Sequence, residues 1–188
     1  MRGIYMNDFD KVMDCIFAVE GYVSNHKADS GGYTKYGIAQ KAHPEVNVKT
    51  LTLDGAKEIY YKSYWLPTKC DEQPFKVALY VMDLAVNSGV KVAAKALQKC
   101  TNLVVSGTPK SPLAVDGIVG KKTLLESRSI HPDTLTAALH AYRTAFYFGI
   151  VAKNASQKVF LKGWMNRLAK LNMYASGIPA NKLDIFLS

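Results

Sequence analysis

Two carboxylic acids and a threonine follow one another closely near the end of the first amphipathic segment of the chain. Glu20 ends a run of apolar residues at helical spacing, Asp29 comes nine residues later, and Thr34 comes five residues after that. A carboxylic acid held protonated near neutral pH can protonate a leaving oxygen, while a second polar group assists a water molecule or a sugar cation. These residue types in this order could therefore hydrolyse a glycosidic bond.

The position of Glu20 suits the acid of such a pair. Apolar residues at intervals of three and four predict a helix with a stripe that continues to Glu20: Phe9, Val12, Met13, Ile16 and Phe17. Apolar surroundings and the C-terminal end of a helix both disfavour negative charge, so we expect the pKa of Glu20 to be raised. Asp29 precedes Gly31 and Gly32 in a polar turn that could fold back across the helix end.

An ordinary structural role is the alternative for both acids. Glu20 could be a solvated residue that closes its helix, and Asp29 could belong to an ordinary turn. Because paired acids are common and a catalytic site needs a mutual geometry that spacing does not give, spacing alone favours the structural role.

Helical spacing dominates the rest of the chain and predicts a mainly α fold with a small β-hairpin or irregular insert near residues 24–40. The predicted helices cover "GAKEIYYKSYW" after Thr52 or Asp54, "FKVALYVMDLAVNSG" after Pro74, "VKVAAKALQKC", the end of "VDGIVGKKTLLES", a segment from His131 to about Lys153, and "SQKVFLKGWMNRLAKLNMYA". We expect a loop from Thr101 to Pro112 and a mobile tail beyond Gly177.

The composition limits the class of protein without choosing the partner. A chain of 188 residues, 48% of them hydrophobic, can bury a sizeable core as one domain or two small ones. Its net charge of +9 favours polyanions, such as nucleic acid, anionic lipid or a bacterial wall. The three cysteines are widely spaced and predict reduced, buried thiols, and no histidine has metal-ligand spacing, so no metal or cofactor is proposed.

The segment from Glu20 to Ile38 resembles the N-terminal signature of glycoside hydrolase family 108. The matching residues stand at the family's offsets without a gap: Glu20-Gly21, Asp29-Ser30-Gly31-Gly32, Thr34 and Tyr36-Gly37-Ile38. The segment with Asp83, Asn87 and Gly89 is similar to the family's D-x-x-x-N-x-G helix. Farther on, "VDGIVGKKT" and "FLKGWMNRL" are similar to the predicted peptidoglycan-binding region that follows that helix.

The resemblance implies a lysozyme-like N-acetylmuramidase, a class found as phage endolysins and as bacterial muramidases that assist secretion. It implies cleavage of the β-1,4 bond between N-acetylmuramic acid and N-acetylglucosamine in peptidoglycan. Glu20 would be the general acid, Asp29 would assist the water or the sugar cation, and Thr34 would orient the water. We favour inversion of configuration at the anomeric carbon. The stereochemical outcome depends on the distance between the two carboxylates, which a sequence does not give.

Three departures from the family's pattern lie around the acid. Tyr22 replaces a glycine, and Lys27 and Ser30 stand where prolines are frequent. Tyr22 places a bulky ring beside Glu20 and could alter the entrance of the cleft.

Three further residues are expected to bind substrate, namely Tyr36, Asp83 and Asn87. For Asp83 and Asn87, one helical turn apart, the alternative is a buried polar pair that caps neighbouring backbone. The aromatic band Tyr60, Tyr61, Tyr64 and Trp65, and also Trp164, are expected to pack in the core rather than to stack on sugars. Arg167 and Asn166 are left open and could form a wall-binding patch with Trp164. The basic cluster of the last third could hold the chain against an anionic wall or could be a solvated face; its members are Lys153, Lys158, Lys162, Arg167 and Lys170.

The implied layout is a catalytic lysozyme-like region at 1–100, a helical predicted peptidoglycan-binding region at 101–177 packed on it as one compact unit, and a tail at 178–188. The segment "MRGIYMNDFDKVMD" does not resemble a cleavable signal, so we expect synthesis in the cytoplasm. Action in the periplasm or wall would follow release through a holin, a secretion system or lysis. The expected partner is peptidoglycan, with no nucleic acid, no stable membrane insertion and a monomeric chain.

Two alternatives stay open at this point. A lytic transglycosylase of the same fold would also use one glutamate but would leave an anhydro product. A non-enzymatic module that binds nucleic acid or the envelope through basic C-terminal helices would also fit a basic, mainly α chain.

Overall fold

The computed structural model describes residues 3–20, 33–41, 43–108 and 111–178, and in the first helix the side chains of residues 8–18 only. The predictions for the side chain of Glu20, for Asp29 and for the tail beyond Ile178 lie outside these described residues. Within them the chain forms α-helices and one two-stranded antiparallel sheet. The predicted fold class, mainly α with a small hairpin, is confirmed.

The elements follow one another in a single helical sequence interrupted by the hairpin. Their bounds are α1 (Gly3–Glu20), β1 (Thr34–Lys35), β2 (Ile38–Ala39), α2 (Leu53–Tyr60), α3 (Phe75–Ser88), α4 (Val90–Val105), α5 (Lys121–Arg128), α6 (Pro132–Lys153) and α7 (Lys158–Ala175). Short turns of 3-10 helix occupy Val48–Thr50, Cys70–Glu72 and Ala155–Gln157, and a π-helical turn, Tyr61–Trp65, continues α2.

Helix α3 lies at the centre of the molecule. Every residue from Val77 to Ala85 is buried, as expected for a helix that is apolar on all sides. Helices α1, α4, α6 and α7 all pack against it. The first helix contributes the predicted apolar stripe, because Phe9, Val12, Met13, Ile16 and Phe17 are all buried in the same core.

Local signals in the sequence set most helix boundaries. The hydroxyl of Thr52 accepts a hydrogen bond from the amide of Gly55 and caps α2. Pro132 is the first residue of α6, where its missing amide costs nothing. Gly89 separates α3 from α4 and has a φ of 92°, a backbone conformation that residues with a Cβ atom rarely adopt.

One predicted boundary is wrong. The loop expected from Thr101 begins later, because α4 continues to Val105. The side chain of Asn102 explains the extension, since it accepts a hydrogen bond from the amide of Leu113 at 2.7 Å and donates one to its carbonyl at 2.9 Å. Thr101 is also fully buried, so tertiary contacts stabilise a helical turn that the composition did not predict.

The prediction for the cysteines is confirmed. Cys15, Cys70 and Cys100 are all free and buried. Burial raises the pKa of Cys70 and of Cys100 to about 12, so both thiols are protonated and unreactive near neutral pH.

Among the described residues, no helix combines the length and the apolar character needed to cross a membrane.

Candidate active site

Helix α1 brings Glu20 to the edge of the core. Glu20 is the last residue of the helix, and the turn before it contains Ile16 and Phe17, which are 0% and 4% exposed. At 100° per residue, position 20 falls between the positions of those two residues around the helix axis. Position 20 therefore lies on the same side of the helix axis as the buried stripe, and the burial of the Glu20 side chain stays a prediction.

The hairpin that carries Thr34 and Tyr36 has a tight two-residue turn. Thr34 pairs with Ala39 and Lys35 pairs with Ile38, which leaves Tyr36 and Gly37 to close the turn. Both have positive φ, 53° and 76°, as a type I′ hairpin turn requires. Asn or Gly usually occupies the first of these positions, so a tyrosine there breaks the local preference.

The pairing also decides which way Thr34 points. Directly opposed residues of a hairpin share a face, and successive residues of a strand alternate between faces. Ile38 is 2% exposed and faces the core, so the pair Thr34 and Ala39 lies on the opposite, outer face. Thr34 is half-buried there, a position from which its hydroxyl can reach a bound water or sugar.

Tyr60 connects this hairpin to the end of α1. Its hydroxyl donates a hydrogen bond to the carbonyl of Tyr36 at 3.1 Å. Its ring meets the ring of Phe17 edge to face, with centroids 5.8 Å apart. Because Phe17 lies one helical turn before Glu20, a single buried tyrosine fixes the turn of the hairpin relative to the helix end.

Gln40 holds the segment that follows the hairpin. Its side-chain amide donates to the carbonyls of His43 and Val46, at 3.1 and 2.6 Å, and its side-chain oxygen accepts from the amide of Val48 at 3.1 Å. The backbone amide and carbonyl groups of this irregular loop thereby obtain hydrogen-bond partners that a sheet would otherwise supply.

The side chain of Asp83 is the centre of a buried ionic cluster. Its carboxylate accepts hydrogen bonds from Arg143 at 2.5 Å and from Arg167 at 2.6 Å, and Arg143 also donates to the hydroxyl of Tyr147 at 2.6 Å. We call these four residues the Asp83 cluster. Asp83 and Arg143 are both 0% exposed, so this cluster ties α3 to α6 and α7 inside the protein.

Electrostatics keep Asp83 ionised despite its burial. Burial by itself would raise the pKa of this carboxyl, but the guanidinium groups of Arg143 and Arg167 hold that pKa below its ordinary value. A buried charge of this kind is stable only while its partners remain, because an unpaired ion in the interior is strongly unfavourable.

Asn87 lies one turn beyond Asp83 on the same helix. Its side-chain amide donates to the backbone carbonyl of Asp83 at 2.8 Å, while the residue itself is exposed. For Asp83 the described contacts favour the buried polar role over direct contact with sugar. Asn87 is placed where it can do both, and its substrate contact stays a prediction.

The sequence assigned no role to Arg143, and it left Arg167 open between a wall-binding patch and a solvated basic face, not as a partner of Asp83. One signal was available for Arg143, which stands four residues after Leu139 and four before Tyr147 on the buried face of α6. A cation on an apolar stripe requires a buried anion, and Asp83 is the acid inside the apolar run of α3.

The aromatic residues behave as expected. Tyr60 and Trp65 are each 1% exposed, while Tyr61 and Tyr64 pack partly buried against the core. Trp164 stacks on Tyr147 with centroids 4.9 Å apart. Packing in the core is therefore confirmed for this band and for Trp164.

An all-helical core with a small hairpin beside the end of its first helix is the lysozyme-like arrangement. The chain is similar to a solved structure of Brucella abortus SagA, with 29% sequence identity and a TM-score of 0.73 over 92% of this chain and 96% of that one. Among curated proteins, none matches the chain.

Two family models divide most of the chain between them. Residues 13–89 match glycosyl hydrolase 108, and residues 92–169 match a predicted peptidoglycan domain. Residues 13–89 therefore form a glycosyl hydrolase 108 domain, and the predicted peptidoglycan domain follows it. The chain is therefore a glycosidase directed at peptidoglycan, and its place of action is the cell wall.

Proposed function

We propose that the chain is an N-acetylmuramidase that hydrolyses the β-1,4 bond between N-acetylmuramic acid and N-acetylglucosamine. Glu20 acts as the general acid and protonates the leaving oxygen. Asp29 assists the attacking water or the sugar cation that develops in the transition state, and Thr34 orients that water. The glycosyl hydrolase 108 domain supports the reaction type, and the residue roles are our extension of it.

The observation that carries the proposal is the position of Glu20 at the end of a helix whose preceding turn is buried. A general acid of a glycosidase must be protonated when substrate arrives, and apolar surroundings favour the neutral form of a carboxyl group. Support for Thr34 comes from Tyr60, which contacts both the turn of the hairpin and Phe17 of the same helix.

Asn87 and Tyr36 complete the proposal as substrate contacts. The exposed amide of Asn87 can donate and accept hydrogen bonds, as the N-acetyl and hydroxyl groups of the glycan strand require. The ring of Tyr36 can contact the face of a sugar. Asp83 contributes indirectly, because the Asp83 cluster holds α3, the helix that carries Asn87, in place.

The decisive experiment compares wild type with Glu20→Gln and Asp29→Ala on purified peptidoglycan. We expect Glu20→Gln to abolish clearing of turbidity, since the amide cannot donate the proton, and Asp29→Ala to lose less. Glu58→Gln is the matched control, because Glu58 is an exposed glutamate on α2 that pairs with Lys62. Unfolding curves of all variants show whether each one is folded.

Mass spectrometry of the products identifies the bond and the chemistry. New reducing muramic acid ends support hydrolysis, whereas anhydro ends would identify a lytic transglycosylase and reducing glucosamine ends would identify a different glycosidic bond. Near wild-type clearing by a folded Glu20→Gln variant would reject the role of Glu20.

A further inference from the structure

Charge is distributed unevenly along the chain. Residues 134–188 contain seven of the 24 basic residues but only one of the 15 acidic residues, Asp184. From Asp133 to Asp184 no carboxylate side chain interrupts the sequence, so α7 and all of α6 beyond Asp133 lack acids. Where the cations of such a segment are exposed, they attract anions and repel other cations.

Within that segment, the tip of the α6–α7 hairpin combines exposed cations with exposed apolar side chains. We define the tip patch as the last turns of α6, the connecting turn and the first turns of α7. Its apolar members are Phe148, Val159 and Phe160, which are 52%, 77% and 53% exposed, and its cations are Lys153, Lys158 and Lys162, all exposed.

Ring contacts show that the two helices meet at this tip. Phe160 lies against Trp164 with centroids 6.0 Å apart, and Trp164 stacks on Tyr147, the neighbour of Phe148 in α6. The connecting turn is short and capped at Asn154, whose side-chain oxygen accepts from the amide of Ser156. The exposed rings of Phe148 and Phe160 therefore lie at the same end of the α6–α7 hairpin, on either side of a buried ring contact.

The lysines of the tip patch differ from the basic residues deeper in the hairpin. Arg143 and Arg167 of the same two helices neutralise Asp83 in the interior. Lys153, Lys158 and Lys162 form no ion pair with a carboxylate among the described residues. Their charge is thus available to an external anion.

We propose that the tip patch binds an anionic lipid surface. Lysines pair with lipid phosphates, while exposed aromatic and aliphatic side chains enter the boundary between headgroups and acyl chains. Val159 is the most exposed large apolar residue of the chain's described part. Peptidoglycan supplies carboxylates, hydroxyl groups and isolated methyl groups, whereas a lipid surface supplies a continuous aliphatic phase that can bury such a side chain. The contact is peripheral, and it is independent of which bond the glycosidase cleaves.

The test uses the full chain with vesicles of phosphatidylcholine alone and of an equal mixture with phosphatidylglycerol. We expect sedimentation with the anionic vesicles only, reversed by high salt. Phe148→Ser with Val159→Ser should weaken this binding about tenfold through lost apolar contact, and Lys153→Glu with Lys158→Glu should do the same through charge. Clearing of purified peptidoglycan without lipid should be unchanged in both variants.

Leu125→Ser and Lys121→Glu, on α5, are the matched controls, because each removes an equally exposed group elsewhere. The proposal would be overturned if both tip variants bound anionic vesicles as well as wild type does. It would also be overturned if wild type bound neutral and anionic vesicles equally. A third contrary outcome is that the tip variants keep their binding to vesicles but lose binding to purified peptidoglycan, or to DNA in a gel retardation assay.

Discussion

At the scale of single residues, one buried carboxylate balances two positive charges. Asp83 is completely buried, and it forms ion pairs with two arginines from two other helices. A buried ion pair contributes little net stability compared with apolar packing, but removing one partner leaves uncompensated charge. The Asp83 cluster therefore makes the position sensitive to mutation without any contact with substrate.

We expect Asp83→Asn to lower the free energy of unfolding at pH 7 by about 3–5 kcal/mol, because two guanidinium groups lose their buried anion. Denaturant unfolding measures the change. Asp133→Asn is the control, since that acid pairs with Lys76 at an exposed site and should have little effect. A loss no larger than that of the control would show that the Asp83 cluster does not stabilise the fold.

The same carboxylate predicts a pH dependence of stability. The pKa of Asp83 is lowered in the folded protein, so the stabilisation from its ionised form is present above the unfolded pKa of about 3.9. It is lost as pH falls below that value toward the folded pKa. The stability difference between wild type and Asp83→Asn should therefore be constant from pH 7 to about pH 5 and should shrink in more acidic buffer. A difference that did not change with acid would contradict this.

At the scale of elements, the hairpin next to α1 relies on a turn whose sequence works against it. Tyr36 adopts a positive φ that costs a non-glycine residue about 1 kcal/mol, and Tyr60 holds its carbonyl. Such a local conflict is typical of a position with a functional or packing role for its side chain.

Tyr36→Asn separates the turn from the ring, because Asn accepts this conformation and has no aromatic surface. We expect its melting temperature to stay close to that of wild type, because relief of the strained φ offsets the lost packing of the half-buried ring, while KM for peptidoglycan fragments rises several-fold. Tyr36→Val should instead lower the melting temperature, since a β-branched residue is poorly tolerated at positive φ. An unchanged KM in the Asn variant would remove Tyr36 from the substrate contacts.

Elements were predictable from the sequence where local signals define them. Periodicity identified the stripe of α1, and Thr52, Pro74 and Pro132 marked helix starts. The end of α4 was not predictable, because it depends on hydrogen bonds between Asn102 and Leu113 across a loop. Periodicity likewise gave no sign that α2 continues as a π-helical turn.

The candidate site divides in the same way. Glu20 and the hairpin belong to one contiguous sequence pattern, so the sequence predicts that they lie close together. The pairing of Asp83 with Arg143 and Arg167 joins residues 60 and 84 positions apart, and no local rule specifies such partners. Packing alone decides them.

At the scale of the whole molecule, the two matched regions share one core. Helix α3 lies in the region matched by the glycosidase model, whereas α4, α6 and α7 lie in the region matched by the peptidoglycan model, yet all three pack against it. The Asp83 cluster crosses the same division. Domains joined by a flexible linker lack such a shared buried interior, so we propose that the two matched regions form one compact unit.

A shared core predicts one cooperative unfolding transition. The chain has two tryptophans, Trp65 in the first region and Trp164 in the second, so the variants Trp164→Phe and Trp65→Phe each leave one fluorescent reporter. We expect the denaturation midpoint reported by each tryptophan to coincide with the loss of helical circular dichroism in the same variant, because neither region can expose α3 without the other. Arg143→Met should lower both midpoints together by removing a buried partner of Asp83. Two separate transitions, or a shift of the Trp164 signal alone, would show that the glycosidase region folds without the helices that follow it.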